Sequence, residues 1–579
     1  MSTRISRRLI PLISTALLVA APTLSAQHGL LPFYGDAAND EMGRSVSGAG
    51  DVNNDGFDDI IVGARGDDTN GAQAGAARVL SGADGSTLYT FFGDSTGDLF
   101  GVTVSGAGDV NNDGNDDVIV GAWGDDPNGG QSGSATVYSG LDGSVLHTFN
   151  GDAANDRFGI SVSGAGDVNN DGNDDLIVGA RWDDDGGANA GSARVFSGVD
   201  GSTLYTFHGL AAGDEFGYSV SGAGDVNNDG NDDVVVGAYF DDTNGADAGS
   251  ARVLSGVDGA VLYTFYGDSA SDFLGLSVSG AGDVNNDGNA DVIAGAYGDD
   301  DNGDRAGSAR VYSGVDGSTL YTFFGDSAVD YFGSAVSDAG DINEDGYDDL
   351  LVGAERDDDN GGSSGSARVL SGVDGSILFT VFGASGNDAF GVSVSSAGDF
   401  NGDSHPDFVV GAYGDDTTAA EAGSAQVFTG FSCCTTVGTT CTIAPCEVCP
   451  TMVAGTSGGA PTLGNNGFAL ELNNAPANTQ FAILGISQGA CVLPGETFLI
   501  PFCETIKVAQ PMDFLGVMPF TAGISTCTTN ISVPAQVPPD IIFVGWNLSM
   551  QWVISCDSAS IVGRSVSNCV NFTITDTDA

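Results

Sequence analysis

The sequence GDVNNDGNDDVIVGA, residues 108–122, is the clearest copy of a segment that occurs seven times in this 579-residue chain. Successive copies are 58 residues apart throughout, with leading aspartates at Asp51, Asp109, Asp167, Asp225, Asp283, Asp341 and Asp399. The unbroken spacing shows that no repeat has gained or lost a residue. A fixed period of this length indicates a repeat architecture, in which each unit is one supersecondary structure.

Each repeat contains four short runs of apolar, β-branched or small residues, bounded by Gly, Asp and Asn. In the second copy the runs are Phe100–Ala107, Val118–Ala122, Gly133–Ser139 and Ser144–Phe149. Four-stranded units without helical periodicity between them are typical of propeller blades. The sequence therefore predicts an all-β fold, with a seven-bladed β-propeller over residues 27–431.

The two ends of the repeat region predict how the ring closes. The segment Leu30 to Asp36 aligns, after a shift of 58 residues, with Leu88 to Asp94, and it therefore corresponds to a fourth strand without a blade of its own. The last repeat stops after its third strand, at Thr429. We expect the N-terminal strand to complete the last blade, which gives 28 strands and closes the ring.

The N-terminal segment, residues 1–26, has the pattern of a secretory signal peptide. Three arginines up to Arg8 precede the apolar stretch Leu9–Ala21, and Leu24-Ser25-Ala26 is a small-residue cleavage site. The apolar stretch is too short for a membrane anchor, and no later segment of about 20 apolar residues follows. We expect an exported protein, either secreted or held at the cell surface.

The C-terminal region differs in composition, because all ten cysteines lie at or after Cys433. In an exported chain an even number favours disulfides. A zinc site that includes Cys446 and Cys449 stays open as the alternative, although no histidine follows Cys434. Strand-like alternation, as in Phe468–Leu472, predicts a small disulfide-rich β-sandwich-like domain over residues 432–579.

The segment between the first and second runs carries Asp, Asn, Asp and Asp at positions 1, 3, 5 and 9, usually with Gly at position 6. A sharp turn at the glycine lets the side chains at positions 1, 3 and 5 converge. Together with the backbone carbonyl at position 7, these oxygens are ligands that Ca²⁺ prefers, whereas Mg²⁺ keeps its waters and favours rigid octahedral sites. Asp, Asn and Gly also form ordinary turns, but seven copies of one spacing favour calcium.

We therefore expect up to seven Ca²⁺ ions, one per blade, with the seventh loop departing from the pattern at Ser404 and Pro406. The predicted ligands, at positions 1, 3, 5, 7 and 9 of successive loops, are Asp51, Asn53, Asp55, Phe57 and Asp59; Asp109, Asn111, Asp113, Asn115 and Asp117; Asp167, Asn169, Asp171, Asn173 and Asp175; Asp225, Asn227, Asp229, Asn231 and Asp233; Asp283, Asn285, Asp287, Asn289 and Asp291; Asp341, Asn343, Asp345, Tyr347 and Asp349; and Asp399, Asn401, Asp403, His405 and Asp407.

The second copy contains three motifs in a fixed order, which are Phe100-Gly101, the loop from Asp109 to Asp117, and Val120-Gly121-Ala122. This order resembles the FG-GAP repeat of the integrin alpha-subunit N-terminal propeller. The resemblance covers residues 29–431 and implies calcium on one face of the ring and protein ligands on the opposite face. The proline of GAP is absent throughout, and the first pair is Met42-Gly43 in the first copy. Metal loops in all seven blades suggest a bacterial or archaeal exported member of this family.

Composition excludes several classes of function. A formal charge of −62, with only 16 Lys and Arg residues, argues against nucleic acid and anionic membrane surfaces as partners. Only four histidines are present, and no nucleophile motif or histidine metal cluster is visible, so we expect no enzyme. The remaining hypotheses are a protein-binding adhesion module, a glycan-binding lectin, and a structural component of the cell envelope or extracellular matrix.

The loop after the second run lies at the other end of the blade. It carries an acidic pair in each repeat, such as Asp67-Asp68, for which we expect mainly a solvated acidic face and, as an alternative, a cation-dependent ligand surface. The tripeptide Arg65-Gly66-Asp67 matches a sequence that integrins recognise, but Gly-Asp-Asp recurs in other blades, which favours a structural role. Aromatic side chains in this loop are suited to stacking on sugar rings; they are Trp123, Tyr239, Tyr297 and Tyr413.

Arginine recurs at one place in the third run. This repetition predicts structural ion pairs with neighbouring carboxylates; the residues are Arg78, Arg194, Arg252, Arg310 and Arg368.

Overall fold

The computed structural model describes residues 29–430 and, beyond them, seven short strands. Those strands are Leu472–Ala475, Asn478–Ala482, Thr497–Pro501, Val517–Thr521, Pro534–Gln536, Asn547–Ile554 and Ser565–Thr573. The predicted signal peptide lies outside the described residues. The β-sandwich, the disulfides and the zinc alternative concern residues 432–579, where only these strands are described, so they stay predictions.

Residues 29–430 form seven antiparallel four-stranded sheets, and no helix occurs among them. The first strands of the blades are β2 (Met42–Gly50), β6 (Thr103–Gly108), β10 (Phe158–Gly166), β14 (Ser219–Gly224), β18 (Ser277–Gly282), β22 (Phe332–Gly340) and β26 (Ser393–Gly398). The second strands are β3 (Asp59–Ala64), β7 (Asp117–Ala122), β11 (Asp175–Ala180), β15 (Asp233–Ala238), β19 (Asp291–Ala296), β23 (Asp349–Ala354) and β27 (Asp407–Ala412). The prediction of a seven-bladed propeller is confirmed.

The outer half of each blade consists of a short hairpin. The third strands are β4 (Ala76–Leu80), β8 (Ser134–Tyr138), β12 (Ser192–Phe196), β16 (Ser250–Leu254), β20 (Ser308–Tyr312), β24 (Ser366–Leu370) and β28 (Ser424–Thr429). The fourth strands are β5 (Thr87–Phe92), β9 (Val145–Asn150), β13 (Thr203–His208), β17 (Val261–Tyr266), β21 (Thr319–Phe324), β25 (Ile377–Phe382) and β1 (Gly29–Tyr34).

The N-terminal strand closes the ring. β1 pairs antiparallel with β28, with Phe33 opposite Ala425, and the sheet order is β1-β28-β27-β26. One blade therefore joins the first and last strands of the repeat region, as the sequence predicts, and the strand count of 28 is confirmed.

The cores lie between neighbouring blades, because each sheet packs its faces against the sheets on either side. All six residues of β7 are buried, and Ile119 packs in one cluster with Leu176 and Val178 of the next blade. The first strands are rich in small residues because they crowd the axis. A Cβ atom added at Gly106 would lie 2.7 Å from the carbonyl oxygen of Gly48 in the preceding blade.

One predicted strand boundary is wrong. We expected the first strand of the second blade to begin at Phe100, but β6 begins at Thr103. Leu99 and Gly101 have left-handed backbones, with φ of 56° and 80°, but the equivalent residues of the third blade share this conformation and its first strand still begins at Phe158. The second blade differs because Phe100 lacks the antiparallel pair that joins Phe158 to Ala180. Phe100 therefore makes only an isolated bridge to Gly75.

The loops lie on two faces, named here for later use. The lower face carries the eight-residue loops between first and second strands, such as residues 51–58, and the hairpins between third and fourth strands; position 9 of the motif is the first residue of the second strand. The upper face carries the loops between second and third strands, such as residues 65–75, and the connections between blades, such as residues 93–102.

Candidate metal loops and the opposite face

The aspartate at position 1 organises each loop on the lower face. In the first loop, Asp51 Oδ1 accepts a hydrogen bond from the backbone N–H of Asp55 at 2.9 Å, and Oδ2 accepts one from Gly56 at 2.8 Å. Gly56 has a φ of 90°, which a residue with a side chain rarely adopts. The same two bonds recur in all seven loops. The seventh loop forms them as well, because Ser404 replaces the glycine with a φ of 71°.

The aspartate at position 9 anchors the loop to the blade. Asp59 is fully buried; its Oδ2 accepts from Val52 N at 3.1 Å, and its Oδ1 accepts from Gly82 N at 3.0 Å. Burial, followed by repulsion from Asp55 and Asp51, raises the pKa of Asp59 to about 7. The pKa of the equivalent residue is likewise raised to about 7 in five other loops and to about 6 in the fourth, mainly by burial.

Several loop oxygens are buried without a hydrogen-bond partner. They are Asn53 Oδ1, Asn343 Oδ1 and Asp349 Oδ2, at positions 3 and 9 of the first and sixth loops. In the second loop, Asn111 donates through Nδ2 to Asp117 Oδ2 at 3.3 Å, which leaves the amide oxygen for another partner. Buried polar atoms of a folded protein normally have partners. Unpaired amide and carboxylate oxygens beside mutually repelling aspartates therefore fit a hard cation.

The three carboxylates of one loop do not form a group whose oxygens all lie within 4.8 Å of one another among the described residues. Among the described residues, the acidic group with oxygens all within 4.8 Å of one another is Asp268, Asp272 and Asp299, on the upper face. Arg310 offsets part of its charge, with Nη2 3.0 Å from Asp268 and 3.2 Å from Asp299. In the candidate metal loops, the carboxylate at position 1 accepts hydrogen bonds from backbone N–H groups.

The repeated arginines of the third strands form the predicted ion pairs in four blades. Arg78 pairs with Asp36, Arg194 with Asp152 and Arg368 with Asp326, and Arg310 makes the pairs just described. In the fourth blade Leu210 replaces the aspartate, and Arg252 lies over the ring of Phe216 at 4.0 Å.

Two loop positions without a predicted role connect neighbouring blades. At position 8, Asp116 Oδ2 accepts from the backbone N–H of Asp51 in the preceding loop at 2.9 Å. At position 4, Asn54 Nδ2 donates to the carbonyl of Gly114 in the next loop at 2.7 Å. The residues at positions 4 and 8 recur in the sequence as the predicted ligands do. They were not predicted to have a role, because only the side chains at positions 1, 3, 5 and 9 were assigned to the metal. Their role depends on the packing of one blade against the next.

Five of the seven loops have an aspartate at position 8 that makes this contact with the preceding loop; they are Asp58, Asp116, Asp174, Asp232 and Asp348. The fifth and seventh loops have Ala290 and Pro406 instead. The seventh loop has another link, because His405 Nδ1 lies 2.6 Å from Glu344 Oε1 of the sixth loop.

The acidic pairs on the upper face are not simply a solvated surface. The first aspartate of the pair is buried in six of the seven blades: Asp67 accepts from Thr69 N at 2.7 Å, and Asp183 accepts from Ser192 Oγ at 2.6 Å. Only the second aspartate, such as Asp68, is exposed. Asp67 is therefore a turn residue, and Arg65 pairs with Glu41 at 2.6 Å, so the Arg-Gly-Asp tripeptide is not displayed as a ligand.

The aromatic residues on the upper face form a connected group. Tyr297 stacks on Phe273 at 5.1 Å and contacts Tyr331 at the same distance, and Tyr239 lies 4.4 Å from Tyr218. Tyr239 and Tyr331 are each 9% exposed, so parts of the group are packed into the surface.

The fold and the repeated loops define the class of this protein. The family model described as "FG-GAP repeat" matches five segments, residues 42–80, 158–196, 216–254, 332–370 and 390–428. The protein is a seven-bladed β-propeller that contains FG-GAP repeats.

Its relatives include integrin alpha subunits. The chain is 34% identical to integrin alpha-5 of Xenopus laevis over 220 residues, which are 35% of this chain and 20% of that protein. It is 29% identical to integrin alpha-V of Gallus gallus over 240 residues, 39% of this chain and 23% of that protein. The alignments thus span only about a fifth of the length of these relatives. A solved structure, BBS1N in complex with ARL6DN, is similar with a TM-score of 0.43 and 9% identity, covering 69% of this chain and 96% of that chain.

None of the residues that the structure describes forms a helix long and apolar enough to cross a membrane.

Proposed function

We propose that this protein is an exported, calcium-binding β-propeller that acts as an extracellular binding or adhesion module and binds a protein ligand on its upper face. The proposal rests mainly on one observation, which is that the residues that differ between blades lie on the upper face. The residue that precedes the FG pair has a left-handed backbone in every blade, yet its side chain changes from blade to blade: Glu41, Leu99, Arg157, Glu215, Phe273, Tyr331 and Ala389.

The residue after each second strand varies in the same way, from Arg65 and Trp123 to Glu355. Both positions lie on the upper face, whereas the lower-face loops repeat nearly the same residues. Non-glycine residues held at positive φ cost energy and are concentrated at functional sites. A ring of such residues with diverse side chains on a uniform scaffold suits recognition of a ligand that has no sevenfold symmetry.

The calcium sites have a structural role in this proposal. Each predicted ion would be held by the residues at positions 1, 3, 5, 7 and 9 of one loop, and would offset part of the charge of the three aspartates. The unpaired oxygens of Asn53, Asn343 and Asp349 support this assignment. The similarity to integrin alpha subunits supports an extracellular binding role.

The test is capture of proteins by the full chain from surface fractions of the producing cells and their surroundings, with and without calcium. We expect calcium-dependent capture that Tyr297→Ala on the upper face weakens. Leu141→Ala is the control, because Leu141 is 61% exposed in a hairpin of the lower face. Capture that the lower-face variant weakens and the upper-face variant does not would overturn the assignment of the face.

A glycan-binding role is the second candidate, and the connected aromatic residues of the upper face favour it. A glycan array with the same two variants separates it from protein binding.

A further inference from the structure

The arginines of residues 29–430 fall into two groups. Five lie in third strands, where most pair with aspartates. The others all lie on the upper face; they are Arg44, Arg65, Arg157, Arg181, Arg305 and Arg356. In a chain with a formal charge of −62, this concentration of cations on one face is unexpected from composition alone.

Arg157 has the most distinctive surroundings in this group. Its guanidinium carbon lies 3.4 Å from the ring centroid of Trp182 and 4.4 Å from that of Trp123, so two indoles from adjacent blades contact one cation. No carboxylate oxygen within the described part of the chain lies within 4.0 Å of it. Its Nε atom is buried and has no hydrogen-bond partner.

A second arginine lies beside this cluster. The guanidinium of Arg181 is 5.0 Å from the ring of Trp182 and 5.3 Å from that of Tyr218, and its Nε is also buried without a partner. Burial and the charge of Arg181 lower the pKa of Arg157, although the side chain stays protonated at neutral pH. Two neighbouring, partly desolvated cations with unused donors attract an anion.

The cluster is also held in place. Glu215 Oε1 accepts from Trp182 Nε1 at 3.0 Å, and Oε2 accepts from the hydroxyl of Tyr239 at 3.1 Å. The same Oε2 lies 3.7 Å from Arg181 and offsets part of its charge. The carboxylate therefore fixes the indole and attracts Arg157 only from a distance, so that Arg157 has no direct ion pair among the described residues. A rigid, preorganised site loses less entropy when a ligand binds.

We propose that the cluster of Trp123, Arg157, Arg181 and Trp182 binds a carboxylated sugar, so that the upper face recognises a uronate-containing polysaccharide at this local cationic site, whereas the net charge of the chain repels polyanions that lack such a contact. The two arginines supply donors for the carboxylate, and the indoles supply flat apolar surfaces for the sugar rings. Further aromatic residues continue along the face to Tyr218, Phe273 and Tyr297, as a polymer of similar rings requires. The inference rests on the proposed use of the upper face for binding, but it names a different ligand class.

The experiment measures binding of the full chain to hexamers of galacturonic acid and of alginate, at fixed calcium concentration, by calorimetry and tryptophan fluorescence. We expect at least one hexamer to bind and to change the fluorescence. Arg157→Gln should weaken binding at least tenfold. Arg44→Gln should change it less than twofold, because Arg44 lies on the same face over Tyr413, at 5.1 Å, but away from both indoles. Both variants should keep the melting temperature of the parent protein.

Three results would overturn the inference. In the first, no hexamer binds. In the second, methyl-esterified galacturonate hexamers bind as tightly as the free acid, which would make the carboxylate irrelevant. In the third, poly-glutamate binds more tightly and with the same dependence on Arg157, which would make the ligand an acidic peptide. Protein capture sensitive to Tyr297→Ala would stand in each case, so the proposed function and this inference fail separately.

Discussion

The carboxylate of Asp58 in the first loop accepts a hydrogen bond from the backbone N–H of Asp399 in the seventh loop, at 2.7 Å and across 341 residues of sequence. The same bond joins Asp116 to Asp51 between the first and second blades, at 2.9 Å. The lower face therefore closes through its loops as well as through the pairing of β1 with β28. Because these loop contacts close the ring in addition to the strand pairing, we expect them to contribute to stability before any metal binds.

Removing the closing carboxylate should destabilise the ring. Asp58→Ala leaves the N–H of Asp399 without its partner, and a lost charge-assisted hydrogen bond at a partly exposed site costs about 1 to 2 kcal/mol. We expect a lower melting temperature in thermal denaturation at fixed calcium concentration. Asp58→Asn should lose less, because its amide oxygen still accepts. Equal stability of Asp58→Ala and the parent protein would show that this contact is dispensable.

Adding the contact where it is missing should have the opposite effect. Ala290 occupies position 8 of the fifth loop, and its backbone N–H bonds to Asp225 O at 3.3 Å, so the backbone has the same approach as in the other blades. In Ala290→Asp the new carboxylate can accept from Asp225 N. After the added repulsion from the acidic loops, we expect a gain of up to about 1 kcal/mol. A melting temperature below that of the parent protein would contradict the role assigned to position 8.

Removal of calcium should destabilise the propeller strongly. A metal bound only by the folded state stabilises it by mass action, and at a calcium concentration tenfold above a submillimolar Kd this is about 1.4 kcal/mol per site. The aspartates of each loop also repel one another without it. We expect a large fall in melting temperature in excess EDTA, which calcium reverses more effectively than magnesium.

Sodium chloride supplies the control for this measurement, because screening weakens the repulsion but fills no site. It should therefore recover only part of the loss. An unchanged melting temperature in EDTA would remove the basis of the calcium assignment.

The carboxylate of Asp338 should make the stability of the protein depend on pH, at a position outside the candidate metal loops. It lines a cavity of about 500 Å³ at the axis, where the first five blades have glycine, and accepts from Gly340 N at 2.6 Å. Burial raises its pKa to about 6. Because the folded state holds this proton more tightly than the unfolded chain, the contribution of Asp338 to stability should be greatest below pH 4 and should decrease as the pH rises through 6.

Asp338→Asn removes this dependence. The variant should therefore be more stable than the parent protein at pH 7, by about 1 to 2 kcal/mol, and similar to it near pH 4. The comparison uses the difference between the two proteins at each pH, since the loop aspartates titrate in both. A difference that stays constant from pH 4 to pH 7 would show that Asp338 does not titrate in this range.

The repeat length, the blade count and the closure by β1 follow from the sequence, because a constant 58-residue spacing leaves no other way to align the first and last strands. The loop positions suited to metal could also be read from it, since ligand spacing is a local property. The start of β6 could not, because it depends on whether Phe100 pairs with the second strand of its blade, as Phe158 and Phe332 do in theirs.

The scaffold of this protein can be read from its sequence, because repetition and strand patterning depend only on residues close together in the chain. The folded ring was needed to see which carboxylates lie buried, which loop residues join neighbouring blades, and which side chains meet on the upper face. Arg157 and its two tryptophans come from three different segments, and nothing in their sequence spacing indicates contact. Packing of adjacent blades brings these segments together, whereas each candidate metal loop is formed by one continuous segment of a single blade.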